Sequence, residues 1–409
     1  MGSKMQRYGR RLATLGLILT GVYLAGCASD STTTAKRYMF WPPQPDAPHV
    51  QYLTSISTSS DVTGKQKKME ELLYGKESLS DLPFQRPYGV RINDGKIYVC
   101  DATAANVSIL DFRKKEVRIL GRTGPMTLQK PIDIAVAADG TKYVADTGLG
   151  AVVVFDTTDL YAGRITVPDM RPVSVAVYEN ELFVSDMKAS RVRVFDRLSG
   201  KELLAIGQQG SGKGKLGGAM GVAVDRAGNV YVNDVVGCKV QKFKRDGTFI
   251  SMLGGLGDTP GTFVRPKHMA VDSAGILYVV DAAFENVQMF NEQNQMLMFF
   301  GSQGNHPGAM DMPAGIGVTD TDLDLFAQYA HPAFELQRIL VVTNNYGPVK
   351  INIYGLGVLK PGKTPEDILS SRLKVTAGFS DKATGDALAT QPVQPGTQPA
   401  SAPAATGSK

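Results

Sequence analysis

The chain has 409 residues, 43% hydrophobic and 20% charged, which is enough apolar material to bury a core and excludes a wholly disordered protein. Lys and Arg exceed Asp and Glu by five, but Lys4, Arg7, Arg10 and Arg11 supply four positive charges within the first 26 residues, which hold no acid; the remainder carries about +1. So nearly neutral a body has no field that argues for a nucleic-acid partner.

Basic residues up to Arg11, an apolar stretch from Leu12 to Tyr23, and then Leu24-Ala25-Gly26-Cys27 have the layout of a cleaved signal peptide over residues 1–26. The 15 residues from Leu12 to Gly26 fall short of the roughly 20 that a helix needs to cross a bilayer. Small residues just before a cysteine resemble the lipobox of bacterial lipoproteins. That resemblance implies that Cys27 is lipidated, becomes the new N-terminus and attaches the chain to a membrane, stably if two or more acyl chains are added. In that family the residue after the cysteine influences sorting, and Ala28 implies the outer membrane of a bacterial cell envelope.

Residues 27–48 are expected to be a lipidated tether, Ser/Thr-rich at first and then extended where Pro42, Pro43 and Pro45 favour a polyproline conformation. Trp41, the single tryptophan, either docks on the body or binds a partner, and the local sequence does not choose.

The body repeats itself from residue 87 to 354. Five units open on a proline followed by an apolar run, at Pro87, Pro131, Pro172, Pro266 and Pro313; in the fourth unit Ala219 takes that place. A turn and a second β-rich run follow, the run ending at Asp101, Asp146, Asp186, Asp234 and Asp281. Six residues after each aspartate, a valine opens a third run: Val107, Val152, Val192, Val240 and Val287. Most units add a fourth run, such as Met252-Leu253-Gly254. Four antiparallel strands per unit, with aspartates spaced 45, 40, 48 and 47 residues apart, predict the blades of a β-propeller. The sixth unit carries an insertion at 319–338, ends its second run at Thr343-Asn344 and lacks a fourth strand. Val50 to Ile56 resembles the missing strand and is expected to pair beside the last one, closing an all-β, six-bladed propeller over 49–357, with a further insertion at 57–82. Residues 358–409 form an extension ending in a Pro/Ala-rich tail too poor in apolar residues to fold, so both termini are expected to be disordered.

The Pro-x-Gly-Val, Tyr-Val-x-Asp and Val-x-Val-Phe-Asp segments resemble the NHL repeat, and the anchored form resembles bacterial NHL-repeat lipoproteins. The resemblance covers about two thirds of the chain and speaks to fold more than activity, because one scaffold serves unrelated functions. It implies either a non-enzymatic binding scaffold for an envelope protein or an anionic polysaccharide, or a metal-dependent lyase or lactone hydrolase with a site in the central channel.

The recurring aspartates sit alike in every unit, whereas a catalytic site is asymmetric; they are expected to brace turns by accepting backbone N–H bonds. Gly89, Asp133, Ser174, Gly221, His268 and Gly315 begin the innermost strands, which makes Asp133, Ser174 and His268 the candidate channel-lining groups. The lyase pattern places several zinc-binding histidines there, while this chain offers His268 alone; His49, His306 and His331 fall elsewhere. A lactonase-like calcium site needs several inward oxygens, and Asp133 is the single channel acid placed by the register. No cofactor, catalytic set or metal set is therefore assigned. Cys100 and Cys238 fall in different units, beyond disulfide reach, and are expected to be free thiols. Arg86, Lys130, Arg171 and Arg265 each precede a unit-opening residue, with Lys267 close by, and are expected to gather around one mouth of the channel as a ligand or partner patch, or else to pack their stems on loops.

Overall fold

The computed structural model describes residues 38–43, 45–64, 84–122 and 126–368. The expected signal peptide over residues 1–26, Cys27, most of the 57–82 insertion and the residues beyond 368 lie outside the described residues.

The innermost strands are Pro87–Asn93, Pro131–Val136, Pro172–Tyr178, Ala219–Val224, Pro266–Val271 and Pro313–Thr319. Each packs against the next and the sixth against the first, which closes a six-bladed β-propeller. Blades 1 to 5 are four-stranded antiparallel meanders over residues 87–120, 131–165, 172–206, 219–254 and 266–300. Valine, isoleucine and aromatic residues suit the pleated, buried positions of such strands, and the six main core clusters each draw side chains from two neighbouring blades. One wedge joins Tyr98, Val107 and Leu120 of blade 1 to Ile134, Val144 and Val153 of blade 2. The hydrophobic driving force thus lies mainly between blades, with one small cluster of Phe40, Phe334 and Ile368 confined to blade 6 and the segment after it.

The repeated aspartates brace the turns. Asp281 accepts from the backbone N–H of Val264, Arg265, Ala283 and Phe284, at 2.8 to 3.3 Å. Asp101 and Asp146 make the equivalent sets of bonds in blades 1 and 2. One carboxylate therefore ties the loop entering a blade to the turn between its second and third strands. In blade 6 Asn344 takes this position, and its Oδ1 accepts from Asp311 N–H at 3.2 Å.

Blade 6 is completed from the N-terminal side. Val50–Ile56 pairs antiparallel with the last strand, Ile351–Leu359, through Val50 opposite Leu356 and Ile56 opposite Ile351. A fifth strand, Met39–Trp41, adds outside it within the segment expected to be tether. Trp41 docks, buried, with its ring edge-on to Tyr354 at 5.7 Å and to Phe300 at 6.5 Å. That settles the choice left open at Trp41, because the strand seats the indole between the last two blades. The insertion of blade 6 forms two short 3-10 turns, and Phe326 packs from there into the wedge between blades 6 and 1. Cys100 and Cys238 are buried free thiols.

Candidate functional site

All six innermost strands bulge just after their opening residue, which turns the next side chains toward the axis. Three of these positions carry the expected channel residues, and the structure brings the three together. Ser174 Oγ donates to Asp133 Oδ2 at 2.8 Å, and His268 Nε2 lies 3.2 Å from the same oxygen. Asp133 also accepts from Val175 N–H at 3.0 Å and, through Oδ1, from Ile134 N–H at 2.9 Å. Ile316 N–H points at His268 Nδ1 (3.4 Å), leaving Nε2 as the donor to the carboxylate. Ser174 Oγ in turn accepts from Val222 N–H at 3.2 Å, so the network touches the inner strands of five blades.

These groups, expected from the register to line an open channel, instead close the axis at their own level, and a small pocket lined in part by Arg91, Ala135, Ala176, Ala223 and Ala270 lies further along it. Asp133 and Ser174 are 0% exposed and His268 3%. Two of the other three positions are glycines for lack of room: a Cβ on Gly89 would lie 2.5 Å from Asp133 Oδ1, and one on Gly315 would collide with the Tyr88 carbonyl, whereas at Gly221 a Cβ would meet ordinary contacts from 3.4 Å outward. Burial pushes the Asp133 carboxyl up, but His268, Arg91 and the Val175 N–H outweigh it and hold Asp133 below the usual carboxylate range. With four donors on Asp133 and both His268 nitrogens engaged, this cluster is a closed polar plug. Among the described residues no three His, Cys, Asp or Glu side chains group as a metal site would require.

Above the plug, on the face where the innermost strands begin, lies a cationic mouth. Lys267 is 7% exposed; its Nζ donates to Asn345 Oδ1 at 2.9 Å and sits 5.5 Å from the centre of the Tyr88 ring. Asn345 is held by donating to Pro87 O at 2.7 Å. Arg86 stacks over Tyr346 at 5.3 Å, and Arg86 and Arg265 both act electrostatically on Lys267 and Tyr88. Lys130 and Arg171 are exposed at the equivalent positions of blades 2 and 3, further round the same rim. The expected patch thus divides: Arg86, Arg265 and Lys267 cluster around Tyr88, while Lys130 and Arg171 extend it outward.

None of these five cations forms an ion pair with a described residue, whereas four arginines of the opposite face are each matched. Arg113 meets Asp322 at 2.7 Å, Arg197 meets Asp139 at 2.8 Å, Arg245 meets Glu181 at 2.7 Å and Arg338 meets Asp272 at 2.6 Å. Beside the mouth runs a groove of about 530 Å³, lined in part by Tyr52, His306, Asp311 and Asn344. Sequence reasoning missed Tyr88, Asn345 and this groove. Tyr88 had a signal, since it shares with Lys267 the position one residue after the opening proline. Asn345 and the groove had none, because they arise where blade 6 is assembled from both ends of the chain.

No family model matches the chain, and no curated protein does. Solved structures do resemble it. A protein of unknown function from Bacteroides thetaiotaomicron is 17% identical over 75% of each chain, with a TM-score of 0.53. Virginiamycin B lyase from Staphylococcus aureus is 12% identical over 67% of this chain and 86% of its own, with a TM-score of 0.47. The likeness is one of fold alone.

Proposed function

We propose that this chain is a bacterial NHL-repeat lipoprotein, anchored in the outer membrane through lipidated Cys27, whose propeller is a non-enzymatic binding module for an anionic envelope partner, either a protein surface or a polysaccharide. The observation that supports this reading is that one rim presents Arg86, Lys130, Arg171 and Arg265 to solvent, each just before a blade's opening residue, without ion-pair partners among the described residues. Unmatched cations on a nearly neutral body focus a positive field at one mouth and steer acidic groups toward it.

Replacing Arg86, Lys130, Arg171 and Arg265 together by Gln should weaken crosslinking of the anchored protein to its envelope partner by about tenfold or more at low ionic strength, with the difference closing as salt is raised. Equal capture by the variant at low salt would defeat the proposal. The anchor is tested separately. Cys27→Ser should move the protein from the membrane fraction to the soluble one, and a variant that still pellets with membranes would show that another element does the anchoring.

A further inference from the structure

Two lysines among the described residues are buried, and they are treated differently. Lys142 has the Asp159 carboxylate at 2.6 Å and the carbonyls of Asp156 and Thr157 within hydrogen-bond reach. Lys267 has an amide oxygen, a phenol ring and no carboxylate. A buried ammonium keeps its proton only when an opposite charge compensates for lost hydration. Here the neighbours are cations: burial first, then Arg265 and Arg86, push Lys267 down to about 8. The groups facing it are Arg265 from the loop entering its own strand, Arg86 and Tyr88 from the start of blade 1, and Asn345 from the turn of blade 6. Burial pushes Tyr88 up to about 12, so it stays a neutral phenol where Lys267 titrates, and Asp133 below is engaged by its own four donors.

We propose that Lys267 is a nucleophilic amine that forms an imine with a small 2-oxo acid, whose carboxylate is held by Arg86 and Arg265. The cluster supplies each part of such a ligand: an amine without a competing carboxylate for the carbonyl, and guanidinium forks for the acid group. The neutral amine's lone pair attacks the carbonyl carbon. The carbonyl oxygen takes up both amine protons in turn and leaves as water, and a C=N bond remains, with no oxidant or reductant consumed. Near neutral pH, lowering the pKa from 10.5 to about 8 raises the free-amine fraction by a factor on the order of 10². The inference does not depend on the anionic-partner reading, which is tested by substitutions that leave Lys267 in place.

The test is reductive trapping on the full chain with pyruvate and cyanoborohydride, followed by peptide mapping. The expected result is an adduct at Lys267 that forms at least about tenfold faster than at exposed lysines, with a rate that rises through a midpoint near pH 8. Lys267→Arg removes this adduct. Arg86→Gln with Arg265→Gln lowers the ratio of trapping by pyruvate to trapping by acetaldehyde about tenfold. Wild-type adducts spread over exposed lysines, with Lys267 no faster, would overturn the proposal, as would an unchanged ratio in the double variant. The mapping uses the wild-type chain, so it stands even if a variant fails to fold.

Discussion

Deleting residues 38–56 should abolish the native propeller, leaving a chain without a cooperative thermal transition or near-ultraviolet signal and prone to self-association. The deletion removes the outer two strands of blade 6 and exposes the backbone edge of Ile351–Leu359, which Val50–Ile56 otherwise covers. It also takes Trp41, Val50, Leu53 and Ile56 out of the wedges that join blade 6 to its two neighbours. Each wedge is shared by two blades, so the loss spreads around the ring instead of staying local. A milder form isolates one part of the effect: Trp41→Ala should cost about 3–5 kcal/mol in urea unfolding, since it leaves Phe300 and Tyr354 facing a cavity. A deletion variant with an unchanged transition midpoint would show that blades 1 to 5 and the rest of blade 6 stand without this closure.

Asp133→Ala is expected to be the most damaging single substitution at the axis, costing about 3–5 kcal/mol. It strands the Ser174 hydroxyl, the His268 Nε2–H and the Val175 and Ile134 N–H groups in a site closed to water. Asp133→Asn should cost less, because its carbonyl oxygen still accepts from some of these donors. The sign of the pH dependence follows from the depressed carboxyl. A group held below its unfolded value of 3.8 contributes its full stabilisation above that value and loses it as pH falls through the lower folded-state value. The stability gap between the wild type and Asp133→Asn should therefore shrink as pH falls below 3.8. A gap that instead widened on acidification would contradict a charged Asp133 in the plug.

Much of this architecture was legible before any coordinates because a propeller is written as a repeat. Proline openings, terminal aspartates and valines at one offset report the same local needs in successive blades: an extended start, a carboxylate for orphan backbone donors and a half-buried third strand. Even closure was readable, since Val50 to Ile56 has the pattern of the strand that blade 6 lacks. The aspartates' role followed from symmetry, and Asp281 with its four backbone donors bears that out.

The site was legible only as positions along a strand. Register identified Asp133, Ser174 and His268 as axial but not that they meet, because convergence depends on how the bulged starts of separate blades come together around the axis. Flanking position identified Arg86, Lys130, Arg171, Arg265 and Lys267 as one rim, yet burial singles out Lys267, and Asn345 reaches it from a turn 78 residues further along the chain. The sequence by itself determined the strands, their number per unit and the order of the blades, because those follow from short-range patterns of side-chain alternation and turn chemistry. Only the tertiary structure decided which polar groups share the axis, which cations lack a counter-charge and where Trp41 comes to rest, because each depends on distances between segments that the chain brings together only when the ring closes.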